Sequence, residues 1–121
     1  MNELAIVIEL DELATRLGDV ALVDVRTQGE FDGTLGKGCD PRQGHIPGAR
    51  HLDVYRMMAL DASAIAAELG LEPGAEVVAY CHSGSRSAAA AELLRELGFA
   101  ARNYKGSWHE WSRREELPVE N

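Results

Sequence analysis

The passage from Glu76 to Gly98 constrains this chain more than any other. Val77-Val78-Ala79-Tyr80 is a short apolar run of strand-forming residues. Cys81-His82-Ser83-Gly84-Ser85-Arg86-Ser87 follows, small, polar and broken by a glycine. Behind it Ala90, Leu93, Leu94 and Leu97 recur at the i, i+3, i+4, i+7 spacing of one helix face. Gly98 stands where a left-handed C-terminal cap belongs. A cysteine thus leaves the end of a buried strand and enters a loop that runs straight into a helix.

That placement has chemical consequences. The first turn of a helix presents unpaired N–H groups and roughly half a positive charge, so it holds anions. A thiol beside it loses its proton more readily, helped here by Arg86, and the thiolate is the reactive form. Gly84 and the small Ser83, Ser85 and Ser87 let the backbone curl until several N–H groups face one centre. The plain alternative is a structural cysteine at a strand end, followed by a helix that Ser87 caps.

The rest of the chain alternates strand and helix. Ala5-Ile6-Val7-Ile8 reads as a first short strand, Leu10, Leu13, Ala14 and Leu17 as a helix face ended by Gly18. Ala21-Leu22-Val23-Asp24-Val25 is a continuous apolar strand of the kind buried in parallel sheets, with Asp24 and Arg26 expected to pair. Gln28 to Phe31 reads as one helical turn. Asp32 to Gln43, with Gly33, Gly36, Gly38 and Pro41, reads as a long loop, functional or mobile. Gly44-His45-Ile46-Pro47-Gly48-Ala49 is a tight turn, Asp61 to Leu69 a helix capped by Gly70, and Pro73-Gly74 a turn before the central strand. Ala100 to Tyr104 is a last strand. Ser107 and Glu110 match a capping box for a final helix whose Trp108 and Trp111 face the core. The expectation is one α/β domain over 1–121, a mainly parallel sheet with helices on both faces and its site at the carboxyl ends of the strands.

Composition narrows the function. A net charge of −8 argues against nucleic acid or an anionic membrane as partner, and the longest apolar runs are too short to span a bilayer. Met1 to Leu10 holds Glu3 and Glu9 and lacks a signal-peptide pattern. Cys39 and Cys81 stand far apart without metal-ligand spacing, which fits free thiols in a reducing, cytoplasmic setting.

Four stretches, in order, resemble the single-domain rhodaneses, thiosulfate sulfurtransferases. They are Leu22-Val23-Asp24-Val25-Arg26 with Glu30-Phe31, then Gly44 to Ala49, then Tyr80 to Ser87, and finally Lys105-Gly106-Ser107 through Trp111 to Val119. The resemblance implies a rhodanese-like three-layer fold and transfer in two steps. Cys81 takes the outer sulfur of a thiosulfate-like donor as a persulfide, and a cyanide, thiol or protein acceptor removes it. It implies no metal or organic cofactor. The amides of His82 to Ser87 would hold the anionic sulfur and Arg86 the sulfonate end of the donor. Cys81 and Arg86 enclose four residues, one fewer than the related Cys-dependent phosphatase and arsenate reductase cradles, which favours sulfur over a tetrahedral oxyanion. A rhodanese-like module that only relays a persulfide or senses redox state is the alternative.

Other residues invite readings of their own. His82 is expected at the rim, touching donor or acceptor. Cys39, with Lys37 and Arg42, sits in a connection longer than the family commonly has. It either resolves a Cys81 persulfide or forms a disulfide with Cys81, or it is an exposed cysteine without a role, the last being favoured. His45 and His51 are expected to be structural. Asp24, Arg26 and Glu30 are expected to form an ion-pair set holding the first loop near the active one.

Overall fold

A computed structural model describes residues 6–121. Ala5 of the expected first strand, and the first half of the start read for a signal peptide, lie outside the described residues. The element order is β1 (Val7–Ile8), α1 (Leu10–Thr15), β2 (Ala21–Asp24), α2 (Gln28–Asp32), β3 (Arg50–His51), α3 (Val54–Met57), α4 (Ala62–Leu69), β4 (Glu76–Tyr80), α5 (Ser85–Glu96), β5 (Ala100–Tyr104) and α6 (Ser107–Trp111). Among the described residues the strands form one parallel sheet, ordered β1-β5-β4-β2-β3.

β4 is central because it is apolar on both sides. Val77, Ala79 and Cys81 point into one cluster with Val23, Ile65, Leu69, Ala90 and Leu94, under α3, α4 and α5. Val78 and Tyr80 point into the other, with Leu13, Leu22, Ile46, Tyr104, Trp108 and Trp111, under α1 and α6. The period-two alternation of a strand sorts these neighbours to opposite faces. Helices therefore cover both faces of the sheet, as expected. From β4 the chain proceeds outward through β5, and from β2 outward through β3, so the carboxyl ends of β2 and β4 flank the switch point where open α/β sheets hold ligands. Asp24 pairs with Tyr80 in register there, one residue before Cys81.

Beneath that crevice lies a buried ion pair. The Arg26 guanidinium reaches Asp24 at 2.7 Å and the Gly44 carbonyl at 2.6 Å, and it lies over the rings of Trp108 and Tyr80. Beside this pair the Tyr80 hydroxyl accepts the Ile46 N–H at 3.0 Å. The Gly44–Ala49 turn is thereby tied to β4. The chain's tail crosses it: His45 and Glu120 exchange backbone hydrogen bonds of 2.7 and 2.9 Å. Gly44 has φ +118°, and a Cβ there would sit 2.2 Å from the Glu120 carbonyl.

Two expectations need correction. The ion-pair set divides: Asp24 and Arg26 pair, whereas Glu30 pairs with Arg86. Ser107 and Glu110 form no capping box, since Gly106 is the N-cap and no side chain caps α6. Ser107 instead takes φ +55°, donates to the Tyr104 carbonyl at 2.8 Å and accepts the Cys81 N–H, and Glu110 accepts from the Tyr104 hydroxyl. The 32–43 stretch is a loop, as expected, and it is tied to the end of α6. Arg42 donates to the carbonyls of Trp111, Ser112, Arg114 and Leu117, and Trp108 Nε1 returns a bond to the Arg42 carbonyl. Carbonyls left over at the end of α6 need donors, and an arginine fork supplies them.

Candidate active site

The Cys81 sulfur lies at the carboxyl end of β4, in a side chain only 1 % exposed. Gly84 N–H donates to Sγ at 3.1 Å and the Ser87 hydroxyl at 3.3 Å. Ser107 Oγ stands 4.0 Å away, but its single proton is committed to Tyr104, so it adds little. Burial pushes the thiol up. The Ser87 hydroxyl and the amides of Ser87, Gly84 and Ser83 pull it down further, leaving it below its ordinary value. Ser87 therefore does not cap the helix; its hydroxyl faces the sulfur.

The loop keeps this shape because α6 grips it from behind. Trp108 N–H donates to the Cys81 carbonyl at 2.9 Å and His109 N–H to the His82 carbonyl at 2.8 Å. In a trans peptide the next N–H points opposite to the carbonyl, so the amides of His82 and Ser83 are turned away from α6. Gly84 then reverses the chain with φ +101°. A Cβ at this position would lie 2.5 Å from the Lys105 carbonyl, so glycine is required for the dihedral and for the close approach.

Arg86, from the first turn of α5, reaches Glu30. Its two terminal nitrogens donate to the two carboxylate oxygens of Glu30 at 2.9 and 3.2 Å, a fork-to-fork pair across the crevice. Burial alone would raise the Glu30 carboxyl, but Arg86 and the Thr27 hydrogen bonds carry it down to about 2. Thr27 and Glu30 also form the capping box that starts α2. Thr27-x-x-Glu30 was the signal in the sequence that could have located this anchor. Arg86 thus lends positive charge near Cys81 while two of its five N–H donors are held by Glu30.

His82 turns to the 32–43 loop, with Nε2 2.9 Å from Asp40 and its ring edge against His109. Ser83 and Ser85 are exposed at the rim. Ser83 borders an open groove of about 600 Å³ that Lys105, His109, Glu110 and Arg113 also line. His45 and His51 bond the carbonyls of Phe31 and Arg26, and both rings lie against Phe31. Cys39 is exposed. Asp40 and Arg113, which hold His82 in place, escaped the sequence reading because they meet only in the folded chain.

Comparison with known proteins settles the family. The rhodanese-like domain profile matches residues 9–114. The chain belongs to the rhodanese-like domain family. This rhodanese-like chain is 38 % identical to a thiosulfate sulfurtransferase of Corynebacterium glutamicum, over 98 % of its own length and 44 % of the relative's. It thus spans less than half of that protein. A solved structure of a probable thiosulfate sulfurtransferase superposes with a TM-score of 0.83 at 43 % identity, covering 97 % of this chain and 48 % of the other. The human single-domain sulfurtransferase TSTD1 superposes with a TM-score of 0.73 at 30 % identity, covering 92 % and 98 %. No helix among the described residues is long and apolar enough to cross a membrane.

Proposed function

We propose that this rhodanese-like domain is a sulfurtransferase that carries a sulfane sulfur on Cys81. The Cys81 thiolate attacks the outer sulfur of thiosulfate, or a similar donor; the sulfur–sulfur bond of the donor breaks and sulfite leaves. Cys81 is then a persulfide with its negative charge on the terminal sulfur. A thiophilic acceptor takes that sulfur and restores the thiolate; cyanide leaves as thiocyanate, a thiol as its persulfide. Neither step needs an external electron carrier. The observation that carries this reading is the Cys81 sulfur receiving hydrogen bonds from Gly84 N–H and the Ser87 hydroxyl, which favour its anion.

His82, Ser83 and Ser85 form the rim at which donor and acceptor approach, and the Ser83 groove is the side from which they enter. Arg86 acts as a positioning charge through Glu30 rather than as a clamp on the sulfonate. The engaged guanidinium and the four-residue spacing also weigh against a phosphatase. We read 1–121 as a single rhodanese-like domain, a reading supported by the coverage of human TSTD1. The free thiols of Cys39 and Cys81 suit a reducing compartment such as the cytoplasm.

The test is thiocyanate release from thiosulfate and cyanide, with Cys81→Ser as control and an aryl phosphate in parallel. Thiocyanate formed by the parent and lost in the variant supports transfer through Cys81. Aryl phosphate turnover without thiocyanate would make the chain a phosphatase. Silence in both assays would leave a persulfide relay or sensing module.

A further inference from the structure

Beside the loop three donor groups converge: the Cys39 thiol, the Asp40 carboxylate and the His82 imidazole, the last of them also at the rim of the proposed transfer site. One ligand atom from each lies within 4.8 Å of the other two. Cys39 and Asp40 come from the 32–43 loop and His82 from the residue after Cys81, so the cluster has no spacing that a sequence could display.

Asp40 is the telling member. Its side chain is 1 % exposed, and Arg113 Nη1 bonds Oδ1 at 3.0 Å. His82 Nε2 also bonds Oδ1, at 3.1 Å. Oδ2 is 2.9 Å from the same nitrogen, yet off the direction a hydrogen bond requires, and it is buried with no hydrogen-bond partner. A buried carboxylate oxygen with unused lone pairs costs free energy unless something meets it. Its neighbours, a thiol and an imidazole, are metal donors.

We infer that Cys39, Asp40 and His82 form a binding site for a divalent transition-metal ion of the zinc type. Thiolate sulfur, imidazole nitrogen and one carboxylate oxygen are a borderline-soft donor set, which excludes magnesium and calcium and suits zinc with water in the fourth position. Tetrahedral zinc sets its ligand atoms roughly 3.3 to 3.6 Å apart. His82 Nε2 is 2.9 Å from Asp40 Oδ2, and Cys39 Sγ is 3.9 Å from the neighbouring Oδ1, so the exposed Cys39 must turn towards Oδ2 to complete the set. Arg113 supplies the outer bond that orients a ligating carboxylate, and it also donates to the Cys39 and His109 carbonyls. Binding forms zinc–sulfur, zinc–nitrogen and zinc–oxygen bonds, and the Cys39 thiol gives its proton to the buffer. The ion would join the 32–43 loop to His82, next to the sulfur-bearing residue.

The site is tested apart from any sulfur transfer, in the Cys81→Ser protein, where Cys39 is the only thiol. Zinc is titrated against a chromophoric chelator, and cobalt(II) is added separately to read a thiolate-to-metal charge-transfer band. The expected result is one metal per chain, a cobalt band, and loss of the band with at least about tenfold weaker zinc binding on adding Cys39→Ser or Asp40→Asn. Circular dichroism checks that each variant is folded. No band, or zinc binding that Cys39→Ser leaves unchanged, overturns the assignment. So does binding found in the parent and abolished by Cys81→Ser alone, which would put the metal on the active cysteine.

Discussion

Ser87→Ala probes the sulfur cradle most directly. Ser87 is fully buried, and its hydroxyl is the only side-chain donor with a good distance to the Cys81 sulfur, at 3.3 Å among the described residues. A hydrogen bond to a charged group contributes about 1.5 to 3 kcal/mol, and one pKa unit corresponds to about 1.4 kcal/mol. The Gly84 and Ser83 amides remain and partly compensate, so the expected rise in the Cys81 pKa is about one unit. The assay is the pH dependence of iodoacetamide alkylation, run in a Cys39→Ser background because Cys39 is exposed and would also react. Only the thiolate reacts, so below the parent's midpoint the variant's rate falls about tenfold, while the high-pH plateau stays close to the parent's. A midpoint unmoved by the substitution would show that the hydroxyl does not stabilise the anion. A parent midpoint at or above an ordinary thiol's would refute the cradle itself.

Three other perturbations bear on the frame around the loop. Glu30 titrates near 2 in the folded chain against 4.5 when unfolded, so its contribution is complete above pH 4.5 and disappears as the pH falls towards 2. Denaturant melts over that range should lose about 2 to 3 kcal/mol more in the parent than in Glu30→Gln, with the partly exposed Arg86 taken into account. Gly84→Ala forces a left-handed alanine against the Lys105 carbonyl; expect a loss of about 2 kcal/mol or more in chemical denaturation and a larger relative loss of thiocyanate formation than of stability. Asp24→Ala strands the buried Arg26 without its counter-charge; thermal melts should report about 3 to 5 kcal/mol of destabilisation.

Much of the architecture could be read from local pattern. The apolar run into Cys81, the Ala/Leu face behind it and the cap at Gly98 are short-range signals, and the strand, loop and helix they announce are present. Gln28–Asp32, Ala62–Leu69 and the two core tryptophans were legible for the same reason. The three-residue-spaced Ser107 and Glu110 misled, because the backbone at Ser107 is claimed by a tertiary partner. The Cys81 N–H, from 26 residues away, donates to its hydroxyl, while the hydroxyl itself turns back to the Tyr104 carbonyl instead of capping the helix.

By itself, then, the sequence determined the alternating elements, the parallel sheet and a cysteine at a strand end facing a helix, since propensity and periodicity act within a few residues. Only the tertiary structure decided which charges meet. Arg86 finds Glu30 because β2 and β4 end side by side, Arg42 finds the carbonyls beyond α6, and Asp40 finds both His82 and Arg113. Hydrogen-bonded ion pairs reach only a few ångströms, and it is the sheet order that brings residues many tens of positions apart within that range.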